Sequence, residues 1–216
     1  MLKISKPQLI WLYSLLALSY LINSTFFNHL LMPLHKALPI LLLACCSYLW
    51  FRGRLRIGLL LALLCSACGD IILATKLQHS FVLGLASFAV AQLAYSLSFA
   101  RWRSWSGAQR WLLLPLALYL LVVAALVLPN TSQLTVAVLV YMAIISSMAT
   151  LAIMASPANY LLIFAASSFV VSDSLIALDQ FVSPLPYAHL WVMLSYYAAQ
   201  LGILLACLKQ SQSHAR

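Results

Sequence analysis

The sequence predicts an all-α, polytopic integral membrane protein with about eight transmembrane helices. Three observations carry that prediction. The chain is 65% hydrophobic and only 7% charged, with a mean hydropathy of +1.02, where soluble domains carry about 25% charged residues. The apolar residues fall into eight runs, each near the roughly 20 residues a helix needs to span a bilayer. No segment between the runs is long enough for a water-soluble domain, so residues 1–216 read as a single transmembrane domain.

The spans follow in order. The first, roughly 8–24, comes after Lys3 and Lys6, and no small-residue cleavage motif follows it before Asn28, so it reads as a retained helix and not a removed signal peptide. Asn28 and Pro33 lead to the second, 33–51, and "FRGRLR" (51–56) turns the chain into the third, 57–75. "KLQHS" (76–80) precedes the fourth, 80–99, and "RWRSWSGAQR" (101–110) the fifth, 111–128. Pro129-Asn130, Ser156-Pro157 and "SPLP" (183–186) punctuate the last three, 134–155, 159–179 and 186–208.

An even number of spans puts both termini on one side. Lys3, Lys6, Arg52, Arg54, Arg56, Arg101, Arg103, Arg110, Lys209 and Arg216 fall on that side, and Lys36 and Lys76 opposite, which predicts cytoplasmic termini. The net charge of +9 is then a topology signal, and no nucleic-acid partner is implied. In "RWRSWSGAQRW" the arginines orient the chain and the tryptophans anchor it at the interface. The five cysteines, Cys45, Cys46, Cys65, Cys68 and Cys207, all lie in apolar runs, which argues against a disulfide framework.

Asp70, Asp173 and Asp179 are the only acidic residues. Asp179, at the end of the seventh span, is explained by a helix boundary. Asp70 and Asp173 lie deeper, where an ionised Asp costs about 2.5–3.5 kcal/mol on translocon scales and takes a polar partner. Counted from the start of their spans they sit about 13 and 14 residues in, roughly 20 Å from the same face, and Lys36 enters the same slab from the other side. Two carboxylates and an ammonium at one depth form a candidate site, beside Gly69 and Ser172, which allow close helix approach. Helix packing alone is the competing explanation of the acids.

"GDIILA" (69–74) is echoed by "SDSLIAL" (172–178) and "AVAQLAYSL" (89–97) by "YAAQLGILL" (197–205), which suggests a four-plus-four internal repeat with one Asp and one Gln, Gln92 or Gln200, in each half. Gln92 with Tyr95, and Tyr196 with Gln200, share helix faces, and Tyr141 and Tyr197 add phenols within spans. These are candidate substrate contacts. The C-x-x-C of Cys65 and Cys68 has no second pair at zinc spacing and reads as packing. His29, His35, His79 and His189 fall near the outer interface, and no metal or cofactor is assigned. Serine-hydrolase, zincin and P-loop motifs are absent from the sequence.

At Lys36, Gly69-Asp70, Phe81 with Gly84, Tyr95, Tyr141 with Met148, Ser172-Asp173-Ser174, and Tyr196-Tyr197 with Gln200, the chain resembles the YhhN family, bacterial relatives of the eukaryotic membrane lysoplasmalogenases. It departs from the family pattern in placing Ala37-Leu38-Pro39 after Lys36 and Gln92 where histidine is expected. The resemblance implies hydrolysis of the vinyl ether bond of a lysophospholipid to a fatty aldehyde and a glycerophospho base in the bacterial inner membrane, with Asp70 and Asp173 as general acid and base and no cofactor. A proton- or cation-coupled transporter of a small amphipathic molecule is the alternative that intramembrane acids allow.

Overall fold

A computed structural model describes residues 4–26, 31–75, 78–105 and 108–213. Lys3, Asn28, His29, Lys76 and Arg216, and Ser106-Gly107 of the 101–110 segment, lie outside these residues. The chain forms α1 (Lys6–Phe26), α2 (Met32–Trp50), α3 (Gly53–Ala74), α4 (Ser80–Ala100), α5 (Leu113–Val127), α6 (Thr135–Ile153), α7 (Tyr160–Phe181) and α8 (Ala188–Ser213), with short 3-10 turns flanking α5 and leading into α6. Among the described residues seven helical stretches are long and apolar enough to cross a membrane, α5 counting together with its flanking 3-10 turns as Gln109–Asn130. The eighth, α1, is 21 residues long, but Gln8, Ser14, Ser19, Asn23 and Ser24 dilute its apolar character, and it is not among the seven.

Two helix ends depart from the expected spans for local reasons. Gly53 takes φ +58°, a left-handed conformation that costs glycine little, and the chain turns there at once. Hence α3 begins four residues before the apolar run, with Arg54 and Arg56 in its first turns and the Arg56 guanidinium 5.0 Å from the centre of the Tyr48 ring. At the other end, α8 continues past 208 because its polar residues have partners: Gln210 Nε2 donates to the Pro157 carbonyl at 3.0 Å, and its Oε1 accepts from Asn159 Nδ2 at 3.0 Å.

The chain divides into two compact units, Met1–Ser98 and Phe99–Arg216. In the first, α2 packs along α3 and α1 along α2. α4 meets α3 closely at Gly69, where a Cβ would lie 2.7 Å from a Phe88 ring carbon, and Ser87 Oγ donates to the Cys65 carbonyl at 2.7 Å. In the second unit α7 packs along α8, with α5 and α6 against α7. A Cβ at Gly202 would stand 2.8 Å from that of Ala165, so only a hydrogen at 202 permits the helices to approach this far. Ser172 Oγ donates to the Val192 carbonyl at 3.1 Å across the same seam.

The 101–110 segment, read from the sequence as a topology signal, is also held by hydrogen bonds. Ser104 N–H donates to the Met154 carbonyl at 2.9 Å, Ser156 N–H to that of Trp102 at 2.8 Å, and Gln109 Nε2 to that of Ala155 at 2.8 Å. These bonds fasten it to the α6–α7 turn and bury Trp102, whereas Trp105 and Trp111 are exposed as interface anchors would be. Asn159 completes this layer: its Oδ1 caps α7 by accepting from Leu162 N–H at 3.3 Å, and its Nδ2 donates to the Ala206 carbonyl at 2.9 Å as well as to Gln210. Asn159→Ala is expected to lower stability by about 2 kcal/mol, because a cap and two buried acceptors lose their partner together; unfolding of the purified protein in detergent measures it.

Candidate active site

In the first unit Asp70 projects from α3 into the interior and is 1% exposed. Burying a carboxylate costs several kcal/mol unless a counter-charge accompanies it. Lys36, one turn into α2, supplies that charge with Nζ 3.2 Å from Asp70 Oδ1, its side chain 12% exposed. The shared slab of the sequence set Lys36 near both aspartates without choosing between them, and here it pairs with Asp70. Around it, α1 contributes Tyr13 and Tyr20, seven residues apart on one stripe and both buried. Each lies within electrostatic reach of Asp70, and Tyr13 within reach of Tyr95 as well. His35 Nε2 is 2.9 Å from Ser19 Oγ, and its ring meets that of Tyr20 edge-on at 5.7 Å, which ties α1 to α2 beside the ion pair.

Gln92 and Tyr95 of α4 are completely buried, as is Ser66, one turn before Asp70 on α3. Among the described residues neither amide atom of Gln92 has a hydrogen-bond partner, nor does Ser66 Oγ or Ser47 Oγ. Tyr13, Tyr20, Ser47 and Ser66 were not singled out by the sequence. The spacing of Ser66 from Asp70 and of Tyr13 from Tyr20 was visible there, but their shared surroundings depend on packing between helices.

In the second unit Asp173 of α7 is partly buried, and its Oδ2 accepts a hydrogen bond from the Tyr141 hydroxyl of α6. Tyr196 packs edge-on against Phe169 at 5.5 Å and lies 5.6 Å from Tyr197. Gln200, one turn on from Tyr196, is fully buried. Ser174 Oγ donates to Val170 of its own helix at 2.7 Å. Asp179 is exposed, and its Oδ1 accepts from Leu185 N–H at 2.8 Å, shaping the turn after α7.

The structure therefore joins Lys36 to Asp70 and Tyr141 to Asp173, and assembles Tyr196 with Tyr197. Along its own helix Asp70 is seventeen residues from Gly53, about 25 Å, and Asp173 is thirteen from Tyr160, about 20 Å. His79 and His189 are exposed, all five thiols are free, and among the described residues no three His, Cys, Asp or Glu side chains gather to hold a metal ion. What remains is the Asp70 carboxylate paired with an ammonium and the Asp173 side chain accepting a hydrogen bond from a phenol.

The family model described as the YhhN family matches residues 31–207. The chain is 36% identical over 178 residues to human lysoplasmalogenase TMEM86B, covering 81% of this chain and 74% of that one. It is 33% identical over 160 residues to bovine lysoplasmalogenase TMEM86A and 35% over 150 residues to mouse lysoplasmalogenase TMEM86B, covering 68% of this chain in each case. The matches span 63% and 62% of those two relatives, under two thirds of their length. No solved structure matches the chain.

Lys36→Met strands the buried Asp70 carboxylate and is expected to destabilise the protein by about 3–5 kcal/mol. Combining it with Asp70→Asn removes the stranded charge and should recover most of that loss, as read by unfolding of the three variants in detergent.

Proposed function

The chain belongs to the YhhN family, and from that premise we propose that it is a membrane-embedded hydrolase cleaving the vinyl ether bond of lysoplasmalogen-type lysophospholipids to a fatty aldehyde and a glycerophospho base. The lysoplasmalogenase names of its relatives give the reaction. The observation that carries it to these residues is Asp70, buried in a membrane-spanning helix and ion-paired with Lys36, an arrangement that helix packing alone does not require.

A vinyl ether is hydrolysed through protonation of its β-carbon, which leaves an oxocarbenium ion for water to attack. In the mechanism we infer, Asp173 gives its proton to that carbon, and Tyr141, bonded to Oδ2, fixes the carboxyl so that Oδ1 carries the transferable proton. Asp70, kept as the anion by its ammonium partner, takes a proton from the water whose oxygen bonds to the oxygen-bearing carbon. The resulting hemiacetal returns its hydroxyl proton to Asp173 as the carbon–oxygen bond to glycerol breaks, and Asp70 passes its proton to the departing glycerol oxygen. Both carboxyl groups end as they began, the division of labour seen in paired-carboxylate catalysis. Tyr95, Tyr196, Tyr197 and Gln200 supply polar contacts to the substrate. With ten basic residues toward the termini and two opposite, we place both termini on the cytoplasmic side of a bacterial inner membrane.

The test is aldehyde release from a lysoplasmalogen by purified protein in detergent. Asp70→Asn and Asp173→Asn are each expected to lower kcat by about a hundredfold or more, and Tyr141→Phe by about tenfold through loss of alignment. Wild-type rates in both Asn variants would sink the mechanism. No aldehyde from the wild type would sink the activity and favour the proton- or cation-coupled transporter, which forms no product in detergent.

A further inference from the structure

Three polar side chains stand in the core of the first unit without partners. Ser47 on α2, Ser66 on α3 and Gln92 on α4 are each 0% exposed, and among the described residues Ser47 Oγ, Ser66 Oγ and both amide atoms of Gln92 lack a hydrogen bond. Buried polar groups in folded proteins are matched by protein or by ordered water, so this row calls for a ligand. Each group can both donate and accept. A phosphodiester, which only accepts, would leave Gln92 Oε1 unmatched, and a hydrocarbon would leave them all so. A hydroxyl fits.

Their levels along the bundle narrow the choice. α2 and α3 form a hairpin joined at residues 51–52, with Lys36 paired to Asp70, a register that sets Ser47 level with about residues 56–59 of α3. α4 returns antiparallel, with Ser98 and Ala94 beside Gly58, Ser87 beside Cys65, Phe88 beside Gly69 and Leu73 beside Gly84. Gln92 is then level with about residues 60–65 of α3. Starting from Asp70, the groups Ser66, Gln92 and Ser47 follow at steps of about one helical turn, ~5 Å, toward the end that carries Arg52, Arg54 and Arg56. One water bridges two polar groups at about that separation. A lipid hydroxyl would fill one position and leave the others bare, whereas water fills all three.

We propose that Ser47, Ser66 and Gln92 hold a file of buried water molecules leading from the arginine-bearing end of α2 and α3 to Asp70, and that this file supplies the water the hydrolysis consumes. The supply role rests on the hydrolase reading; the file itself does not. Ser66 and Gln92 are positioning residues in this scheme, since they act through water.

Radiolytic hydroxyl labelling of the wild-type protein in detergent tests the file directly, because it marks side chains beside bound water. Tyr95, itself 0% exposed and near the level of Gln92, should be labelled well above the equally buried Leu43 once intrinsic reactivity is allowed for. In Gln92→Leu/Ser66→Ala the Tyr95 labelling should fall at least about threefold. In steady-state assays Gln92→Leu should lower kcat at least about tenfold with KM within about twofold, while Gln92→His, which keeps one donor and one acceptor, should retain most of the rate. Tyr95 labelled no more than Leu43 would overturn the file. A rise in KM at unchanged kcat would assign the Gln92 amide to the lipid and overturn the supply role. Should the wild type release no aldehyde, the hydrolase reading fails while the labelling still decides the file.

Discussion

The ion pair between Lys36 and Asp70 is the constraint around which the first unit is organised. A carboxylate that is 1% exposed in a membrane-spanning helix is shut off from bulk solvent. The idealised cost of taking such an ion into an apolar medium is of order 20 kcal/mol and still several kcal/mol after relaxation. Only a partner of opposite charge with matched geometry offsets that, so the packing of α2 along α3 is bound up with the pairing. The neighbours follow from the same requirement: Gly69 lets the Phe88 ring come against the helix beside Asp70, and Tyr13 and Tyr20 give the charge a surround more polar than leucine would.

The second unit solves a related problem by other means, although its local sequence is similar. "GDIILA" and "SDSLIAL" both set an acid one residue after a small one. In the first unit the small residue is glycine, and the adjoining helix approaches until an aromatic ring touches the backbone. In the second it is Ser172, which reaches across to the Val192 carbonyl and joins α7 to α8 by a hydrogen bond. Asp173 is partly buried and takes a phenol as a partner, where Asp70 takes an ammonium. That difference in partner is the ground on which the proposed mechanism reads Asp70 as the base and Asp173 as the acid.

Most of the architecture was legible because crossing a membrane imposes length and composition together. Eight apolar runs became eight helices, and their punctuation fell where the chain turns. Helix ends were less legible: hydropathy marks where lipid could be, while Gly53 and Gln210 end or extend helices through backbone conformation and hydrogen bonds that hydropathy does not record. At the candidate site the sequence put Lys36 in one slab with both aspartates, and its pairing with Asp70 is decided by the packing of α2 along α3. Tyr141 stood out as a phenol within a span, but its bond to Asp173 joins residues 32 apart on different helices, and no local pattern encodes that. Trp102 was read as an interface anchor like Trp105; only the bonds clamping its segment to the α6–α7 turn explain why it is buried.

A chain with three acidic residues and a 65% hydrophobic composition is well matched to a reaction that passes through a cation. In an apolar interior of low dielectric constant an anion stabilises an adjacent positive charge far more than it would in water, and a group already fixed there needs no reorganisation as the charge develops. The same apolar surroundings make every unmatched polar group expensive, so a site of this kind is confined to the few polar side chains that bind, transfer a proton or hold water. The polar residues of the first unit's interior, from Tyr13 and Lys36 to Asp70, Gln92 and Tyr95, gather on the inner faces of helices whose outer faces carry Leu, Ile and Val. Substituting the outer faces among apolar residues would then leave the chemistry untouched, while the inner row admits little change.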